Sequence, residues 1–247
     1  MSHIHLPDGV IPLGWWLAGW AMAFVWLLLA TRSIRGTQVR RRLPLLGAMG
    51  ALMLLTMSIP LGPLPLHLNL TVLTGISAGP WLGYIVVFAV NLMLSWVGHG
   101  GLTTGGLNTL VMGIELALGW WFYQRLLARQ PLRRKALVAT ALALLVSVLC
   151  SLSLIGWSTG LGRAVLALDP WHLSAVPHGS EDEVLESASW EGHEAAGTLQ
   201  QSARFWGRSG YAALAALLLS GIAIESLTTW AVIQYLDRVR PDLLSGC

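Results

Sequence analysis

Long uncharged apolar runs alternate with short charged stretches along this chain. Residues 13–30, 43–62 and 136–162 carry no charged side chain. Each reaches or approaches the roughly 20 residues that a helix needs to cross a bilayer core. Residues 102–124 and 209–236 are alike, each with one acid, Glu115 and Glu225. Between 43–62 and 102–124 lies a 31-residue uncharged stretch, 68–98, interrupted by Gly79-Pro80. Proline removes a backbone donor and ends a helix just before it. The stretch is therefore either one long kinked helix or a short helix followed by a full one.

The basic residues decide between these. Arginine and lysine accumulate on the cytoplasmic side of a membrane. Arg32, Arg35, Arg40, Arg41 and Arg42 form one cluster, and Arg125, Arg129, Arg133, Arg134 and Lys135 form another. Both face the cytoplasm only if 68–98 crosses twice. The expected fold class is thus an all-α integral membrane bundle of seven transmembrane helices, with the N-terminus outside and the C-terminus cytoplasmic. The spans fall at about 13–30, 43–62, 68–78, 81–97, 102–124, 136–160 and 209–236 of a single membrane domain, 1–247. Residues 68–78 would reach only about 16 Å. Such a helix must be shielded by protein rather than lipid. The remaining feature is a polar, acidic stretch, 163–208, which this topology places outside the cell.

Composition sharpens this picture. Only 11% of residues are charged and 55% are hydrophobic, against about 25% charged in soluble domains. Lipid must be the solvent, and a multi-pass protein of the cell (inner) membrane is expected. The net charge of +3 is small and gives no ground for nucleic acid binding. Cys150 and Cys247 are far apart and imply neither a disulfide framework nor a thiolate metal site. The chain's beginning lacks the basic n-region and cleavage pattern of a signal peptide.

Seven histidines, His3, His5, His67, His99, His172, His178 and His193, carry the candidate chemistry. None falls on the cytoplasmic side of the expected topology. The first four lie in the N-terminal tail and the two outer turns flanking the short helix. Imidazole suits nickel, cobalt, copper and zinc. The tail reads Met1-Ser2-His3-Ile4-His5. A free amine, deprotonated amides and an early imidazole can lie in one plane around a divalent ion, a set favouring nickel(II) or copper(II). With Met1 retained, His3 completes a four-nitrogen chelate alone. With Met1 removed, His3 is second and one position stays open for a ligand such as His67. The bland reading is that these histidines are polar anchors at a membrane surface. His172, His178 and His193, in the acidic stretch, read as solvated.

Gly98-His99-Gly100-Gly101-Leu102-Thr103 reads as a tight outer turn. Asn108, about a turn and a half into the following helix, reads as a supporting interhelical hydrogen-bonding residue. An acid inside a span marks function or a protonated interhelical contact, so Glu115 and Glu225 stand out. The 13 tryptophans mostly sit near span ends, as an interfacial belt does. No phosphate-binding Gly-x-x-x-x-Gly-Lys-Ser/Thr loop and no His-Glu-x-x-His motif occur, which excludes P-loop ATP hydrolysis and that class of zinc protease.

His5-Leu6-Pro7-Asp8-Gly9 resembles the N-terminal signature of the CbiM/NikM family. These are substrate-binding subunits of energy-coupling-factor importers for cobalt and nickel. His67-Leu68, Gly79-Pro80-Trp81, and Gly100-Gly101-Leu102-Thr103 with Gly106, Asn108, Met112 and Gly113 are similar to further family motifs. Glu225 and Val239-Arg240-Pro241-Asp242-Leu243-Leu244 resemble its last helix and tail. The likeness spans nearly the whole chain apart from 163–208. It implies a seven-helix bundle whose folded-in N-terminal amine, early histidine and His67 hold Co2+ or Ni2+ as substrate. The implied metal set is Met1, Ser2, His3, His5 and His67, with His99 and Asn108 supporting. The implied partners are a transmembrane coupling (T) subunit, a cytoplasmic ATPase pair and often a small accessory membrane subunit, in the lipid bilayer. The chain departs from the pattern by three extra residues before the signature histidine, which leaves His3 and His5 both open as ligands. Cobalt is favoured, with a link to cobalamin biosynthesis. The alternatives are a vitamin-binding subunit of the same transporter class, or a membrane enzyme using Glu225 or Glu115.

Overall fold

The computed structural model describes residues 11–34, 36–59, 67–98, 101–158 and 208–240. Among these residues every regular element is helical: α1 (Leu13–Ser33), α2 (Gly36–Ser58), α3 (Thr71–Ala78), α4 (Pro80–Trp96), α5 (Gly105–Trp121), α6 (Leu132–Ser158) and α7 (Arg208–Val239). Contacts group α1 to α6 with Leu218–Val239 in one compact unit, and the first turns of α7 fall in another. Three helical stretches are long and apolar enough to cross a membrane: Leu13–Ser33, Leu132–Ser158 and Ala215–Val239. Arg42–Ser58 and Pro80–Trp96 are shorter apolar helices. With charges this scarce, the chain is a multi-pass membrane protein. On α1 the side chains of Leu17, Met22, Phe24, Val25, Leu28 and Leu29 are exposed. Such a face needs an apolar surrounding rather than water.

The apolar stretch 68–98 is divided where glycine and proline meet. Gly79 takes φ 83°, in the left-handed region, and Pro80 opens α4. Glycine bears that angle without strain, and proline suits a first helical position. The third helix starts later than the apolar pattern suggests. It begins at Thr71 rather than Leu68, because Leu70 adopts a left-handed conformation, φ 56° and ψ 16°, that no helix continues through. Eight residues extend only about 12 Å, and all eight are buried.

The hub of the bundle is α5, which packs against α1, α3, α4 and α6. Glycines make this possible by letting backbones approach. A Cβ on Gly106 would lie 2.5 Å from the backbone nitrogen of Trp20 on α1. A Cβ on Gly75 would lie 2.7 Å from the Leu116 carbonyl oxygen on α5. Val72, Leu73 and Ile76 of α3 join Met53, Val87, Met112 and Leu116 in the main apolar core. The π-helical turn Phe122–Leu126 ends α5, and Lys135 lies 3.9 Å from the ring centroid of its Tyr123.

Candidate functional site

Met1, Ser2, His3, His5 and His99 lie outside the described residues, as do His172, His178 and His193. Of the sequence candidates, His67 and Asn108 are described. Asn108 is buried in the first turn of α5, not a turn and a half in, because Gly101–Thr104 forms a turn and the helix starts at Gly105. Its backbone N–H donates to the Thr104 carbonyl at 3.0 Å. His67 is half-buried and opens the non-helical segment 67–70 that leads into α3.

This segment is fixed from two other helices. The Leu70 N–H donates to Glu225 Oε1 at 3.1 Å, and the Asn69 N–H donates to Glu225 Oε2 at 3.4 Å. Both oxygens of one carboxylate on α7 therefore accept from successive backbone groups. The Asn69 side chain is held as well. Its Nδ2 donates to Glu115 Oε1 on α5 at 2.8 Å, and its Oδ1 accepts from the Thr71 hydroxyl. A left-handed leucine costs about 1–2 kcal/mol. A hydrogen bond contributes about 0.5–1.5 kcal/mol, so the pair on Glu225 is enough to keep Leu70 there. Strain of this kind persists only where its surroundings over-determine it, and it clusters at functional sites.

Asn69, Glu115 and Glu225 have no solvent exposure at all. Glu225 and the Ser147 hydroxyl of α6 both lie within reach of the Glu115 carboxyl group. A general acid or base must be able to reach a substrate, and these carboxylates are sealed in and engaged with the chain's own donors. The carboxylate of Glu225 also sits at the positively polarised amino end of α3. At the other end Arg42 Nη1 donates to the Ser77 and Ala78 carbonyls at 3.4 and 3.3 Å. The short helix thus has a carboxyl group at its start and an arginine at its finish.

The glycine-rich turn is pinned separately. Trp20 Nε1 donates to the Thr103 carbonyl at 3.0 Å. Asn91 Nδ2 on α4 donates to the Gly105 carbonyl at 2.9 Å and to Thr109 Oγ1 at 2.6 Å. Among the described residues no three His, Cys, Asp or Glu side chains converge as a metal set. Sequence reasoning missed Asn69, Leu70 and Thr71. The available signal was an amide within an otherwise apolar run, facing two intramembrane acids that needed partners.

Residues 5–243 match the family model described as the cobalt uptake substrate-specific transmembrane region. Curated relatives include the cobalt transport protein CbiM of Geobacter sulfurreducens, 30% identical over 132 residues, 49% of this chain and 37% of that protein. CbiM of Sorangium cellulosum is 34% identical over 128 residues, 48% of this chain and 56% of that protein. CbiM of a Nostoc species is 31% identical over 163 residues, 61% of each. The chain spans about half the length of the curated relatives it matches. Two solved structures have the same fold. A truncated transition metal transporter gives a TM-score of 0.62 over 95% of this chain and 99% of its own. A transition metal transporter gives 0.59 over 96% and 93%, and each is 18% identical.

Proposed function

The chain belongs to the family of cobalt uptake substrate-specific transmembrane regions, a family of transporter components rather than enzymes, and on that premise we propose that it captures a divalent transition metal for import. Cobalt is favoured over nickel, since the relatives reported above are named as cobalt transport proteins. His67 supplies one imidazole, and the nitrogens of the segment Met1–His5 supply the rest, through His3 or His5. His99 and Asn108 support the cup from the outer turn and α5. The N-terminus faces outside, the C-terminus and both basic clusters face the cytoplasm, and seven helices cross or re-enter the bilayer. Energy comes from partners: a transmembrane coupling subunit and a cytoplasmic ATPase pair, with a small accessory membrane subunit in some systems.

The observation that carries this reading is the built segment 67–70. A half-buried histidine sits two residues before Asn69, whose backbone N–H and side-chain amide are held by two fully buried carboxyl groups, Glu225 and Glu115. Lipid-facing loops are not built this way; irregular backbone at membrane depth belongs beside a cavity or protein. Half-helix ends at such depth recur at transporter binding sites.

The test is metal binding by the purified protein in detergent. Calorimetric titration with cobalt and nickel salts, with elemental analysis and N-terminal mass determination, is expected to give one ion per chain. His67→Ala is expected to abolish it. Unchanged affinity in that variant for both ions sinks the proposal.

A further inference from the structure

His67 is attached to a backbone whose position is set by residues from elsewhere in the chain. Successive Cα atoms are about 3.8 Å apart, so Asn69 lies at most about 7 Å along the chain from His67. Asn69 is held at three points: its N–H on Glu225, its amide nitrogen on Glu115 at 2.8 Å, and its amide oxygen on Thr71. Leu70 is held on Glu225 at 3.1 Å in a conformation that it would not adopt unaided. Neither carboxylate is exposed, so water does not compete for these bonds. The far end of α3 is tied to α2 through Arg42. The whole piece from Asn69 to Ala78 is therefore registered against α2, α5 and α7 together.

We infer that Glu115 and Glu225, acting through Asn69 and Leu70, are positioning residues that set where the His67 imidazole stands and so tune which divalent ion the site prefers. This rests on the metal-capture reading of His67. The physical reason is tolerance. A ligating constellation must be held within about 0.5 Å of its productive geometry. Outer groups that orient metal ligands typically change metal affinity 10–100-fold when removed. A planar nitrogen set suits nickel, so a displaced imidazole changes the ratio of affinities as well as their size. Glu115 acts on the site through Asn69, whose Nδ2 donates to its Oε1.

Reversing the polarity of the Asn69–Glu115 bond tests this. Asn69→Asp sets a carboxylate against Glu115 while still accepting from Thr71. Adding Glu115→Gln restores a donor–acceptor pair with the donor on the other side. Cobalt and nickel titrations of the detergent-purified full chain, with visible absorption spectra of the bound ions, supply the readout. Asn69→Asp is expected to weaken binding about tenfold or more, with an altered spectrum and an altered cobalt-to-nickel ratio. The double variant Asn69→Asp/Glu115→Gln is expected to return affinity, spectrum and ratio towards the parent. Where Asn69→Asp fails to fold, Thr71→Val removes only the hydroxyl donor and is expected to shift the spectrum and ratio in the same sense. Parent-like affinity and spectrum in Asn69→Asp, or in Thr71→Val where that stands in for it, overturn the inference. So does a loss that the double variant leaves uncorrected. His67→Ala separates the two ideas: if it binds like the parent, the metal reading itself falls. If it fails to bind while the network variants match the parent, only the positioning role falls.

Discussion

Gly106→Ala adds one methyl group where α5 meets α1. Its Cβ would lie 2.5 Å from Trp20 N, 2.6 Å from Trp20 Cα and 2.8 Å from the Gly19 carbonyl carbon. All three are backbone atoms, so no rotamer change relieves the clash. Carbon atoms rest about 3.5–4.0 Å apart, so α1 must withdraw by about 1 Å. Overpacking of this kind costs about 1–3 kcal/mol. Withdrawal also pulls the Trp20 indole from the Thr103 carbonyl, now 3.0 Å away, which costs about 1 kcal/mol more. Replacing a helical glycine by alanine returns at most about 1 kcal/mol. The net expectation is a loss of about 1–3 kcal/mol. Gly14→Ala and Gly47→Ala make the contrast, since nothing lies within 4 Å of either Cβ. They should be neutral or gain up to about 1 kcal/mol. Unfolding of each variant in detergent micelles, followed by tryptophan fluorescence, gives the comparison. A Gly106→Ala protein as stable as the parent would refute the close α1–α5 seam.

Three further outcomes are expected. Tyr84→Phe removes the hydroxyl that donates to the Ala23 carbonyl at 3.1 Å but keeps the ring stacked on Trp26, so it should cost about 1 kcal/mol in the same unfolding assay. A loss several times larger would show that the ring has also moved. Leu70→Gly relieves about 1–2 kcal/mol of left-handed strain but deletes a side chain that is 1% exposed; such deletions cost about 3–5 kcal/mol, so packing should win and stability should fall. A more stable variant would mean that Leu70 is not packed as described. Metal capture by nitrogen ligands competes with protons, so affinity should be lower in acid than in mild base; titrations at pH 8 and pH 5.5 read this, and equal affinities would count against imidazole and amine ligands.

The all-helical class was legible because apolar runs of span length are a direct physical demand of lipid. Gly79-Pro80 was legible as a break because its backbone constraints are local. The start of α3 was not. Leu68, Asn69 and Leu70 belong to the apolar run, and nothing local tells a leucine to turn left-handed. The cause is a carboxylate 155 residues away in the chain. Glu115 and Glu225 could be recognised singly as costly groups inside spans, but their joint target could not. Partner identity across separations of 46 and 156 residues is fixed by packing, for which one sequence carries no pairing signal. Asn108 was placed too deep because the turn Gly101–Thr104 delays the helix. The first four candidate ligands, Met1, Ser2, His3 and His5, and likewise His99, lie outside the described residues.

Placing the hub fifth in chain order affects how the protein is made. Synthesis delivers α1 to α4 to the membrane first, and domains generally assemble from the N-terminal end. Yet Asn91 on α4 finds both partners of its amide nitrogen, Gly105 and Thr109, only on α5, and Gly19 and Gly83 pack on Leu107 and Leu116 of that same helix. Until the ribosome has released roughly the first half of the chain, the early helices wait in the bilayer with a polar amide unsatisfied and their narrow seams empty. The nascent chain's dangerous interval therefore closes when α5 inserts.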